Sequence, residues 1–188
     1  MIMIPFFMVF LIFPEILGYT LTGIISAIIF ALTAFTDMLD GKIARKYNLV
    51  TDFGKFMDPL ADKLMVFGAM IGVLTLTAKR IMDTGKNEYR LFLGLFAIAA
   101  FIIIFRELAV TSMRLIVSSS AGIVVAANIF GKLKTVSQIA GIIIILVEPV
   151  IWDGLIASYV MTAVMVVTTL FSGFDYFKAY WPHINSNK

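Results

Sequence analysis

DMLDGKIARKYNLVTDFGKFMDPLAD, residues 37–62, sets four of its five carboxylates in two pairs: Asp37 with Asp40, and Asp58 with Asp62. Spacings of three and four place each pair on one face of a helix. Strongly apolar sequence precedes Asp37 and follows Asp62, so the pairs fall where two hydrophobic helices meet water. With the first helix ending near Arg45 and the second starting near Gly54, Asp37 and Asp62 lie about 12 Å inside their ends, and Asp40 and Asp58 about 6–8 Å. Antiparallel packing of the two helices then brings the carboxylates to matched depths. Four carboxylates so placed resist ionisation unless a cation joins them. Hard oxygen donors favour Mg²⁺, Mn²⁺ or Ca²⁺, and Mg²⁺ typically divides its shell between carboxylates and substrate phosphates. The stretch therefore points to a divalent-metal site for a phosphorylated substrate.

A lone DxxD is commonly a solvated helix end, and Gly41 could be an ordinary helix terminator. The calcium-loop pattern of alternating acids before a glycine is absent. The whole string carries more weight, because ionisable residues at membrane depth mark function by default.

Working outward, the chain of 188 residues is 61% hydrophobic and 14% charged, with mean hydropathy +0.99. Soluble domains are nearer half apolar and a quarter charged, so composition indicates a membrane protein. A net charge of +3 without a basic run gives no reason to expect nucleic acid as a partner. With no cysteine, disulfides, thiolate metal sites and cysteine nucleophiles are excluded. The single His183 lies in the tail YWPHINSNK and reads as interfacial.

Residues 1–13 are apolar without the basic region and cleavage site of a signal peptide. As helix they cover only about 20 Å, against a hydrocarbon core of roughly 30 Å, so the first helix is expected to be shortened at its N-terminus. Further helices are predicted over about 20–46, 54–78, 91 onward through Arg106 and Arg114, 132–147 and 155–177. A polar loop is expected at 79–90, a Ser/Gly/Ala-rich link at 118–131, and a turn at Pro149 and Asp153–Gly154. Gly23, Ser26, Ala27 and Ala31 suit close helix packing in lipid. The fold class is all-α integral membrane with six transmembrane helices, one domain over 1–188. Eleven Lys and Arg residues flank the aspartate end of the helices and four the other end, which places the aspartates on the cytoplasmic side.

A second constellation is basic. Arg106 and Arg114 are eight apart, about 80° around a helix, so both can face one cavity. Lys132 and Lys134 in GKLKT lie at the start of the fifth helix, where free amides and the dipole also favour an anion. Four cations beside four carboxylates suggest two anion sites, a metal-bound diphosphate and a second phosphate. Positive-inside anchors that snorkel to headgroups are the plain alternative for either lysine. Arg106, followed by Glu107, reads as functional or as half of an internal pair.

The pattern DxxDGxxAR, eight residues, then GxxxDxxxD resembles the signature of the CDP-alcohol phosphotransferases, and all eight signature positions match: Asp37, Asp40, Gly41, Ala44, Arg45, Gly54, Asp58 and Asp62. The resemblance implies an integral membrane enzyme that displaces CMP from a CDP-linked lipid by attack of another alcohol, using two divalent ions, Mg²⁺ or Mn²⁺. It implies Asp37, Asp40, Asp58 and Asp62 as metal ligands, with Asp62 also the general base. Gly41 and Ala44 would let the nucleotide approach the backbone, Arg45 would pair with the diphosphate, and Gly54 would permit close approach. Members usually carry a polar, arginine-containing stretch ahead of the first helix. RELAVTSMR, AGIVVAANIFGKLKT and NLVTDFGKFMDPLADKLMV are similar to bacterial members whose acceptor is glycerol 3-phosphate. There Arg106, Arg114, Lys132 and Lys134 would hold the acceptor phosphate. CDP-diacylglycerol, membrane lipid and a second copy in a homodimer are the other expected partners, in the cell (inner) membrane. Inositol phosphate, serine or phosphatidylglycerol (giving cardiolipin) are alternative acceptors. A membrane prenyltransferase and a cation transporter are more distant alternatives.

Overall fold

The computed structural model describes residues 3–47, 52–121, 129–152 and 154–185, apart from the side chains of 44–45, 52–59, 118–121 and 182–185. The described residues are helical throughout, without a strand: α1 Met3–Ile12, a 3₁₀ turn Pro14–Ile16, α2 Tyr19–Lys46, α3 Asp52–Thr84, α4 Glu88–Ala121, α5 Ile129–Ile151 and α6 Ile156–Asn185. Five helices, α2 to α6, are long and apolar enough to cross a membrane. This is a multi-pass membrane protein. The sixth expected span, α1, has ten residues, about 15 Å of helix.

Packing is sequential and then crossed. α5 packs against α6 and α2, α4 against α6 and α3, and α1 against both α2 and α3. The antiparallel packing expected between α2 and α3 is, among the described residues, mediated mainly by α1 and α5, each of which packs against both. Phe7 and Leu11 of α1 are buried in the same core as Phe30 of α2 and Ala69, Met70 and Val73 of α3. Gly72 takes Leu11 directly: a Cβ there would stand 2.3 Å from Leu11 Cδ1. Short as it is, α1 therefore acts as the wedge between the two aspartate-bearing helices.

Small and hydroxyl residues draw the other helices together, as expected in lipid, where apolar burial alone gives no preference for protein. Gly23 on α2 lies against the backbone of α5, with the position of a Cβ 2.6 Å from the Leu146 carbonyl oxygen. Along the α5–α6 seam Ser137 Oγ meets Thr168 Oγ1 at 2.7 Å, and Gln138 donates to Thr169 Oγ1 at 3.2 Å. At its far end Glu148 of α5 accepts the free amides of Ala157 and Ser158 at 2.7 and 2.6 Å, capping α6 with a carboxylate where the dipole favours one.

Several boundaries differ from expectation. The polar stretch 79–90 is mostly helix: α3 continues to Thr84, and Gly85, with φ +66°, turns the chain so that α4 starts at Glu88. Lys79 and Arg80 remain helical because they find partners. Lys79 Nζ donates to Glu15 at 2.6 Å, and Arg80 lies over the rings of Tyr19 and Tyr89 at 5.2 and 5.4 Å. Pro149 sits inside α5 instead of ending it. Proline removes the one amide donor that would reach the Ile145 carbonyl, and the helix continues past it, with Trp152 N reaching Glu148 O at 2.9 Å. The link expected at 118–131 is narrower, since α4 extends to Ala121 and α5 begins at Ile129.

Candidate active site

Asp37 and Asp40 lie on the last turns of α2 and Asp62 on α3, all three exposed. From the observed helix ends, Lys46 and Asp52, Asp37 and Asp62 are about 14–15 Å deep and Asp40 and Asp58 about 9 Å. Counted along each helix from its own end, the two pairs therefore have similar depths. Gly41 is half-buried on α2. Asp58 and Gly54 belong to α3 and Ala44 and Arg45 to α2, but their side chains lie outside the described residues. Among the described residues no three acidic or histidine groups are grouped to hold a metal ion. The donor chemistry of Asp37, Asp40 and Asp62, hard carboxylate oxygens on exposed residues, suits a hydrated divalent cation.

The basic constellation is more fully defined, and it centres on α4. Arg106 is 7% exposed and Glu107 8%, burial that charged residues tolerate only when paired. Arg106 Nη1 donates to Glu107 Oε1 at 2.9 Å, Arg106 Nη2 donates to Ser172 Oγ at 2.7 Å, and Lys134 Nζ bonds the same Glu107 oxygen. The stem of Arg106 lies across α6 at Gly173, where a Cβ would be 3.0 Å from Arg106 Cγ. Tyr176 stands between the two arginines, its ring centroid 5.6 Å from the guanidinium carbon of Arg106 and 5.6 Å from that of Arg114. Arg114 is exposed and also reaches the Tyr176 hydroxyl at 3.4 Å. Lys132 is exposed on α5.

Arg106, Arg114 and Lys134 are therefore brought together by α4, α5 and α6, and Arg106 is half of an internal pair with Glu107. Because successive spanning helices alternate in direction, the end of α2, the start of α3, the end of α4 and the start of α5 fall toward one end of the bundle. Sequence reasoning missed Ser172, Gly173 and Tyr176. The small pair Ser172–Gly173 inside the aromatic run LFSGFDYF marks a close approach, but nothing local says what approaches.

The opposite end carries a structural clamp. Tyr19 donates to Asp83 at 2.5 Å, and the Glu15–Lys79 pair lies beside it. The hydrogen bond from Lys79 holds the Glu15 carboxyl below its ordinary value.

The described residues thus present exposed carboxylates on α2 and α3, a largely buried cluster of Arg106, Glu107 and Lys134, and five helices long and apolar enough to cross a membrane. The chain matches the CDP-alcohol phosphatidyltransferase family over residues 1–171 and belongs to it. Proteins named CDP-diacylglycerol–glycerol-3-phosphate 3-phosphatidyltransferase are similar along most of their length. That of Bacillus subtilis is 34% identical, over 98% of this chain and 92% of the relative. That of Rickettsia bellii is 32% identical (85% and 80%), and that of Yersinia enterocolitica 31% (96% and 89%).

Proposed function

We propose that this protein transfers the phosphatidyl group of CDP-diacylglycerol to sn-glycerol 3-phosphate, giving phosphatidylglycerophosphate and CMP in phospholipid biosynthesis. The observation that carries this choice of acceptor is the cluster of Arg106, Lys134 and Arg114 around Glu107 and Tyr176, at the same end as Asp62. A phosphorylated acceptor needs such cations, and a neutral one does not. The name borne by the similar bacterial proteins supports the same acceptor.

Asp37, Asp40, Asp58 and Asp62 would hold two divalent ions, Mg²⁺ or Mn²⁺. Such ions, when bound, neutralise diphosphate charge and stabilise the departing CMP. The diacylglycerol tails stay in the bilayer against the apolar outer faces of the helices. Arg45 pairs with the diphosphate, and Gly41, Ala44 and Gly54 leave room for the nucleotide. Arg106, Arg114, Lys132 and Lys134 seat the phosphate of glycerol 3-phosphate so that its sn-1 hydroxyl faces Asp62. Asp62 accepts the hydroxyl proton, the oxygen attacks the lipid-linked phosphorus, and the bond to CMP breaks. The whole chain works as one domain of a homodimer in the inner membrane, with this end cytoplasmic and α1 as a shortened sixth helix.

The test is CMP release by the purified full chain, with one acceptor offered at a time in the presence of Mg²⁺. Turnover with glycerol 3-phosphate, and none with serine, inositol phosphate or phosphatidylglycerol, is expected. Turnover confined to one of those other acceptors would reassign the protein within its family.

A further inference from the structure

We infer that Glu107 is a resident anion of the acceptor pocket, a positioning residue that holds Lys134 until the phosphate of the acceptor takes its place. The inference rests on the acceptor reading above and adds a residue to it.

Glu107 presents a single oxygen, Oε1, to two cations from two helices, Arg106 of α4 and Lys134 of α5. Its side chain is 11% exposed and that of Lys134 14%, so neither charge is compensated chiefly by water. Removing one partner of such a group leaves the other buried and uncompensated. An empty pocket built from cations alone would face the same penalty. A carboxylate within it removes the penalty while no substrate is bound.

The two cations are anchored unequally. Arg106 has other holds: Ser172 Oγ at 2.7 Å, the face of Tyr176, and the berth over Gly173. Among the described residues the hydrogen-bonding partner of Lys134 is Glu107. Letting go of Glu107 therefore leaves Arg106 where it is and frees Lys134, whose flexible stem can swing toward an incoming anion. A phosphate dianion offers two charges and three acceptor oxygens where the carboxylate offers one charge, so it competes well for the ammonium. A neutral hydroxy compound cannot compete. Glu107 thereby favours phosphorylated acceptors and weakens binding of every anion by the strength of the pair it must break.

Replacing Glu107 with glutamine removes the competitor and keeps the shape. The measurements are the KM for glycerol 3-phosphate, the inhibition constant of inorganic phosphate against it, and the KM for CDP-diacylglycerol, on the full chain in lipid nanodiscs with Mg²⁺. For Glu107→Gln the first two constants should fall on the order of fivefold or more, with the third unchanged. In a Lys134→Met background the same substitution should give no gain. Both constants rising, both staying unchanged, or the gain persisting without Lys134 would each overturn the proposal. Should Glu107→Gln fail to fold, Glu107→Asp keeps the charge but shortens the reach to Lys134, and the same two constants should fall by less; a rise or no change would count against it. Failure of the acceptor reading itself looks different: phosphate then does not compete with glycerol 3-phosphate in the unaltered protein, and both claims fall.

Discussion

Arg106 of α4 and Ser172 of α6 are joined at 2.7 Å through Nη2 and Oγ, beside a glycine that leaves room for the arginine stem. This relationship fixes where a buried guanidinium points, and it depends on Gly173 having no side chain. A Cβ there would be 3.0 Å from Arg106 Cγ and 3.2 Å from Nε. Gly173→Val is expected to push Arg106 off Ser172 and raise the KM for glycerol 3-phosphate about tenfold, with a stability loss of about 1–3 kcal/mol. Steady-state kinetics and thermal unfolding in lipid check both parts. An unchanged KM would mean that Arg106 does not serve the acceptor.

Gly23 makes the complementary case away from the site. Its missing Cβ would sit 2.6 Å from a backbone oxygen, Leu146 O, which cannot rotate aside. Gly23→Ala is expected to destabilise the α2–α5 contact by about 1–3 kcal/mol, leaving turnover per folded molecule unaltered. Gly94 of α4 has nothing within 4 Å. Gly94→Ala should stabilise the protein by roughly 0.5–1 kcal/mol through helix propensity. Reversible unfolding in bicelles distinguishes the two signs.

The Glu15–Lys79 pair gives a pH dependence. The Glu15 carboxyl is lowered from 4.5 in the folded protein, mainly by the hydrogen bond from Lys79. A lowered folded value means the stabilisation is present above about 4.5, the unfolded value, and fades as pH falls through the folded one. The melting-temperature difference between the unaltered protein and Glu15→Gln should therefore be small, present at neutral pH, and gone in stronger acid. A difference that grows on acidification would contradict the pairing.

Two substitutions separate chemistry from acceptor binding. Asp62→Asn is expected to abolish turnover while nucleotide and metal binding survive in part. Full activity in that variant removes Asp62 as the base. Arg114→Ala should raise the KM for glycerol 3-phosphate far more than that for CDP-diacylglycerol, since Arg114 belongs to the α4–α6 cluster around Tyr176. Equal effects on both substrates would move Arg114 out of the acceptor pocket.

The helices were readable because their apolar runs are long, and the carboxylate depths because helical rise is constant. What escaped the sequence depends on partners far along the chain. Lys79 and Arg80 read as loop residues, since two adjacent cations at a membrane edge normally seek water. Glu15, Tyr19 and Tyr89 keep them helical. Pro149 read as a stop because its cost is local, whereas the hold of Glu148 on α6 is not. The four basic residues were identifiable as a group. The Arg106–Glu107 pair was legible too, but the hold of Arg106 on Ser172, of Arg114 on Tyr176 and of Lys134 on Glu107 was not, because it joins residues 27 to 66 positions apart. α1 as a wedge between α2 and α3 was hidden for the same reason, and a direct seam between those helices was the simpler expectation.

The central claim is that carboxylates from α2 and α3 grip the same ions although α1 and α5 bridge the helices. Mn²⁺ binding followed by electron paramagnetic resonance, on the full chain with CDP-diacylglycerol present, tests it most directly. Loss of bound Mn²⁺ in Asp37→Asn and equally in Asp62→Asn, down to one ion from two, is the predicted result for a shared site. Two ions retained at unaltered affinity in either variant would contradict it.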